Sequence, residues 1–151
     1  MIRAVFGIGP RVGSSWLMHQ LKEAGLPIHY DRALEAKLPK EGNPQGYYET
    51  RPSDLPFIEN KICKVWPKKY GPIEDIEKMV VLHRPYSHQI KSIKKQIERE
   101  KHLLVGKINP RKLITDAKVS FQKHYLSIPH LKVSTLELTD RLPEIIEYMR
   151  Y

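Results

Sequence analysis

Residues 2–17 read Ile2-Arg3-Ala4-Val5-Phe6-Gly7-Ile8-Gly9-Pro10-Arg11-Val12-Gly13-Ser14-Ser15-Trp16-Leu17. A predominantly apolar, β-type run from Ile2 to Ile8 enters a Gly/Pro turn that holds one arginine. The turn opens into a pattern with Leu17, Leu21 and Ala24 at helical spacing. The first N–H groups of a helix have no partner within it and point outward, so a strand–turn–helix unit of this kind is built to hold an anion. Ser14 and Ser15 at the helix entrance add hydroxyl donors, and Arg11 adds a fixed charge suited to phosphate or sulfate. A ligand carrying several oxyanions is the first expectation.

The turn is not the common phosphate loop Gly-x-x-x-x-Gly-Lys-Ser/Thr. That pattern needs a glycine where Ile8 stands and a lysine where Ser14 stands. The cation precedes the glycine instead, as Arg11. The order basic-x-Gly-Ser/Thr-Ser/Thr-Trp after a first strand resembles the 5′-phosphosulfate loop of the sulfotransferases, which use 3′-phosphoadenosine 5′-phosphosulfate (PAPS) as sulfuryl donor. An ordinary βα turn with capping serines is the plainer reading of the same residues.

A second segment adds to the resemblance. Lys78-Met79-Val80-Val81-Leu82-His83 reads as a buried strand that ends at Arg84-Pro85 and leads into a helical pattern with Ile90, Ile93 and Ile97. Pro85 suits the first helical position, where its missing N–H costs nothing. Sulfotransferases carry an arginine at the end of such a strand and a serine eight positions later, both bound to the donor's 3′-phosphate. Arg84 and Ser92 have that spacing, 92 − 84 = 8. Further stretches are similar to family segments: Asn43-Pro44-Gln45-Gly46-Tyr47-Tyr48-Glu49 to one of bacterial-type members, and Lys61 to Pro67 to the next strand with its lysine. Leu131 to Leu138 stands in place of the last core strand, with Thr135-Leu136 where the family has Tyr-Glu.

Composition agrees with one compact domain over residues 1–151. That length can bury a core, and 40% hydrophobic residues without low-complexity runs argue against disorder. No apolar stretch is long enough to span a bilayer, and Met1-Ile2-Arg3 lacks a signal-peptide layout. Cys63 is the single cysteine, which excludes an internal disulfide and suits a buried thiol in a reducing, cytoplasmic compartment. Lysine and arginine total 26 against 17 acidic residues, a net charge of +9. The densest basic run, Lys91 to Lys101, also holds Glu98 and Glu100 and reads as a solvated helix face rather than a nucleic-acid patch.

The predicted elements are strand 2–8, helix 14–25 with Gly25 as its stop, and a short strand 27–30. A long polar segment then runs to about residue 52, with a short helix near Ser53-Asp54. Strands 61–66 and 79–83, helices 85–104 and 110–126, strand 131–135 and a last helix from about 140 complete the chain. Strands alternating with helices predict an α/β fold: a three-layer parallel β-sheet flanked by helices, with ligands at the carboxyl ends of the strands. By resemblance this is a P-loop NTPase-like sulfotransferase core. Arg11 and Arg84 both fall at such ends. The segment to residue 52 is long for a mere connection and is expected to act as a lid or acceptor-binding loop.

The resemblance implies sulfuryl transfer from PAPS, as co-substrate and without a metal, to a hydroxyl or amine. Arg11 would stabilise charge on the leaving nucleotide, where many relatives have lysine. Gly13, Ser14 and Ser15 would bind the 5′-phosphate, Trp16 would contact adenine, and Arg84 with Ser92 would hold the 3′-phosphate. Many cytosolic members place a base histidine two positions after the strand lysine, but here Lys64-Val65 leads to Trp66. Other branches use a glutamate from the loop after the first helix, which points to Glu49 as base. His29 and His83 are reserves, and Lys64 is a contact for the transferring group. The family's late Arg-Lys-Gly segment is absent. The expected partner is a small-molecule or carbohydrate acceptor, with a homodimer as an option and no nucleic acid. Acceptor recognition would fall to the 31–60 loop, residues 101–110 or a partner subunit. A nucleotide or small-molecule kinase-like protein and a non-catalytic nucleotide-binding protein of the same fold are the rival readings.

Overall fold

Strands β1 (Ile2–Gly7), β2 (Ile62–Val65), β3 (Ile76–His83) and β4 (His130–Ser134) pair in parallel in the order β2-β1-β3-β4. This computed structural model describes residues 1–38, 43–66, 73, 75–100 and 108–150. All six residues of β1 and all four of β2 are buried. Helices therefore cover both faces of the sheet, and its strands read as continuous apolar runs rather than strict alternations.

The side-chain period of two sorts the strands between two cores. Val5, Ile62, Val80, Leu82 and Val133 face α1 (Ser14–Glu23) and its neighbour at the chain's end, packing on Leu17, Met18, Leu21, Ile145 and Met149. Ala4, Phe6, Cys63, Val65, Met79 and Val81 face the other way, onto Ala117, Phe121 and Tyr125. The Phe6 ring meets Phe121 at 5.5 Å and Tyr125 at 5.1 Å, both tilted, a favourable aromatic arrangement. The layers are thus helix, sheet, helix, an α/β architecture.

The remaining helices are α2 (Arg32–Lys37), α3 (Tyr86–Glu100), α4 (Pro110–Ser120) and α5 (Leu142–Arg150), with a π turn at Phe121–Tyr125 continuing α4. Their ends follow local chemistry. Gly25, at φ 82°, closes α1 as its N–H reaches Lys22 O and that of Leu26 reaches Leu21 O, the double bond of a left-handed helix stop. Asn109 caps α4, accepting from the N–H groups of Arg111 and Lys112, and Pro110 stands at the first helical position. Arg3 on β1 donates to the carbonyls of Met149, Arg150 and Asn60, so a buried cation satisfies the C-terminus of α5.

The expected strand at 27–30 is a single bridge, Ile28 with Ile62. The polar segment after it contains α2 in place of a plain loop, and the short helix expected near Ser53-Asp54 is a 3-10 turn at Pro52–Phe57. Asp31 accepts from Leu34 N–H at the start of α2, which together with its Arg51 ion pair holds its carboxyl below the usual aspartate range. The stretch expected to extend α3 to residue 104 lies outside the described residues beyond Glu100, as do residues 101–107 of the proposed acceptor segment. No helix among the described residues is long and apolar enough to cross a membrane.

Cys63 is fully buried on β2, and burial pushes its thiol up to about 12. The thiol therefore stays protonated and shielded. At pH 8 the native protein is expected to resist a thiol reagent such as dithionitrobenzoate, with one thiol released in denaturant; rapid native labelling would contradict this packing.

Candidate functional site

The chain runs from β1 to β2 on one side, then crosses to β3 on the other side of β1. Such a reversal leaves a crevice at the carboxyl ends of the strands. A cleft of about 280 Å³ lies there, lined by the β1–α1 loop, the residues after β2 and β3, and the segment around Tyr47.

The β1–α1 loop forms its floor. Gly9, Arg11 and Gly13 all have positive φ, at 80°, 64° and 90°, so the loop folds back on itself. At Gly13 a side chain would also meet Leu138 at 2.9 Å. Gly13 stands at the N-cap of α1, and among the described residues no side chain caps this helix and no acidic residue occupies its first turn. Its partial positive charge therefore faces the cleft with no acidic side chain in the first turn to offset it.

Three polar groups hold this loop in shape. Gln89 on α3, almost wholly buried, donates through Nε2 to Ile8 O and Pro10 O, each at 2.8 Å. Thr135 Oγ1 lies 2.7 Å from Val12 O and 3.0 Å from His83 O, tying the loop to the end of β3. Arg84 donates from a terminal nitrogen to Arg11 O at 3.1 Å. Gln89→Leu should cost about 3 kcal/mol, because two buried carbonyls lose their donor. Urea denaturation would measure this; a variant as stable as the parent would contradict the role.

Charge is concentrated here. Arg11 and Arg84 both line the cleft, and Arg84 Nε is buried without an acceptor among the described residues. Partial burial, then the nearby Arg99 and Arg84, lower the pKa of Arg11. A bound anion would relieve the burden that burial and the neighbouring cations place on Arg11. Arg11 Nε donates to Ser92 Oγ at 3.3 Å, so Ser92 is engaged through Arg11 and is not itself part of the cleft lining.

Beside the arginines sits a second cluster. Lys64, 3% exposed at the end of β2, places Nζ 3.0 Å from Ser15 Oγ, 2.8 Å from Tyr47 O and 3.0 Å from Glu49 Oε1. Trp66 Nε1 donates to the other carboxylate oxygen, Oε2, at 2.7 Å. Ser15 Oγ also donates to Tyr47 O at 3.2 Å. The Tyr47 segment is fixed from its other side by Glu35, whose carboxylate accepts the N–H groups of Tyr47 and Tyr48. Tyr48 itself has φ 57°, the left-handed region, and its buried hydroxyl meets His19 Nδ1 at 2.9 Å.

The structure thus brings Arg11, Gly13, Ser14, Ser15, Trp16, Glu49, Lys64 and Arg84 to one cleft. Trp16 does double duty, packing against the first core and lining the cleft. Two reserve histidines lie outside its lining: His29 faces Asp54 at 3.5 Å, and desolvation at the end of β3 lowers the pKa of His83. Sequence reasoning missed Gln89, Thr135, Tyr47 and Trp66. For Gln89 a signal existed: it stands four residues before Ile93, on the buried face of α3. Among the described residues no group of three or more histidine, cysteine, aspartate or glutamate side chains is arranged to hold a metal. Compared with protein-family models, curated proteins and solved structures, the chain has no match.

Proposed function

We propose that this chain is a PAPS-dependent sulfotransferase with a P-loop-like sulfotransferase core, transferring a sulfuryl group to a hydroxyl or amine in the cytoplasm. The observation that carries the reading is convergence: Arg11 and Arg84, 73 residues apart, meet the uncapped start of α1 and the carboxylate of Glu49 around one cleft. A kinase reading lacks the phosphate-loop lysine and gives the Arg84 and Ser92 spacing no purpose.

In this reading the N–H groups at the start of α1, with Ser14, bind the 5′-phosphate, and Trp16 contacts the adenine. Arg84 takes the 3′-phosphate, and Ser92, which accepts from Arg11 Nε, acts through that arginine. Arg11 stabilises the charge that grows on the bridging oxygen as the S–O bond breaks, and its permanent charge suits that work better than proton donation. Glu49 accepts the acceptor's proton, which becomes acidic as the new S–O or S–N bond forms. Ser15 acts differently from its sequence expectation: its hydroxyl ties α1 to Lys64 and Tyr47 and so shapes the cleft.

The test is transfer itself. With PAPS labelled in its sulfuryl group and a panel of sugar, phenol and amine acceptors, the label is expected in one acceptor class with equal release of 3′-phosphoadenosine 5′-phosphate (PAP). PAP bound without any transfer would instead identify a non-catalytic nucleotide-binding protein of this fold.

A further inference from the structure

Trp66 occupies the position, two residues after Lys64, that reads from sequence as a missing base. Its geometry gives that position another task. The two carboxylate oxygens of Glu49 are held separately, Oε1 by the Lys64 ammonium at 3.0 Å and Oε2 by the Trp66 indole N–H at 2.7 Å. The Lys64 ammonium also lies 5.0 Å from the centre of the Trp66 ring, so the three side chains form one unit. Lys64 is nearly inaccessible, with Ser15 Oγ and Tyr47 O as its other acceptors, so its three donors meet three protein acceptors. A cation so placed serves the carboxylate and the loop.

We propose that Trp66 and Lys64 are positioning residues that fix the carboxylate of Glu49 at the wall of the cleft, aimed as the proton acceptor, so that the strand-end position holds the base instead of supplying it. This rests on the sulfotransferase reading. Each oxygen of a carboxylate has two lone-pair directions, so one donor on each leaves room to accept a proton from the attacking group. A donor on each oxygen also prevents rotation about the terminal torsion, which is otherwise broad. Glu49 is 17% exposed by side chain and lines the cleft, which keeps that free direction accessible.

The experiment uses water as the acceptor, since no acceptor need then be known. A water oxygen attacks sulfur, the bond from sulfur to the 5′-phosphate oxygen breaks, and the water's proton passes to Glu49. The products are hydrogen sulfate and PAP, and Glu49 then releases the proton to solvent. Glu49→Gln is expected to lower kcat for sulfate release at least about 100-fold. Trp66→Phe should lower it about tenfold with KM for PAPS within about twofold. The Trp66→Phe/Glu49→Gln double variant should fall no further than Glu49→Gln alone, because both changes remove one function. Multiplicative losses, or an unchanged kcat in Trp66→Phe, would overturn the proposal. Fluorescence supplies an arm independent of turnover: with Trp16→Phe as background, Glu49→Gln should shift the Trp66 emission to the blue as the indole loses its carboxylate acceptor, and an unchanged spectrum would overturn the contact. If the parent protein neither binds PAP nor releases sulfate, the sulfotransferase reading fails while the fluorescence arm still decides whether Trp66 holds Glu49.

Discussion

Arg84→Ala is expected to weaken PAP binding about 100-fold, with Arg84→Lys falling between the variant and the parent. Arg84 lines the cleft, its terminal nitrogen holds Arg11 O, and its buried Nε has no acceptor among the described residues. A charge-assisted hydrogen bond to phosphate contributes about 1.5–3 kcal/mol, and lost Coulomb attraction adds to it, which sets the hundredfold scale. Lysine restores charge without the planar fork, so it recovers only part. Titration calorimetry at fixed salt measures this, with AMP as control. AMP lacks the 3′-phosphate, so its weak binding should change little in Arg84→Ala. Equal losses for PAP and AMP would mean that Arg84 acts on the loop alone.

Lys64→Met is expected to cost about 3 kcal/mol of stability. The substitution leaves the Glu49 carboxylate with Trp66 as its remaining named donor and takes one donor from Tyr47 O. Breaking a buried pair on one side costs about 3–5 kcal/mol, and partial hydration of Glu49 places this case near the lower bound. Removing both charges is different. Lys64→Met/Glu49→Leu should recover most of the loss, since a matched apolar pair leaves no charge unpaired. Urea denaturation of the parent, single and double variants gives the comparison. A double variant no more stable than Lys64→Met would show that Lys64 is held by its other contacts, with Ser15 and Tyr47, rather than by Glu49.

What could be read from the chain followed the range of the physics involved. The β1–α1 unit was legible because apolar runs, Gly13 and Gly25 act within a few residues. The parallel order was legible as a class, and so was the placing of Arg11 and Arg84 at strand ends, since alternating strands and helices leave few topologies. The single bridge at Ile28 read as a strand because a short apolar segment looks the same whether it pairs once or four times. For Gln89 the helical spacing to Ile93 marked the buried face, but its task of holding the loop was not legible until its carbonyl partners were known. The cradle around Glu49 was equally hidden, because the path of the 43–49 segment brings Glu49 back to Lys64 and Trp66 and periodicity says nothing of such a path. Ser15 illustrates the same point. As a residue type it suits an anion, but its hydroxyl is engaged by Lys64 and Tyr47.

The most direct measurement of the central claim is the thermal unfolding midpoint of the parent protein with PAP, ATP and AMP at equal concentrations and fixed salt. A ligand present at about a hundred times its Kd adds about 2.7 kcal/mol, which for a chain of this size raises Tm by about 5–10 °C. The account predicts a rise of that order with PAP and a clearly smaller one with ATP or AMP, because Arg84 reads the 3′-phosphate. A larger shift with ATP, or none with PAP, would contradict it.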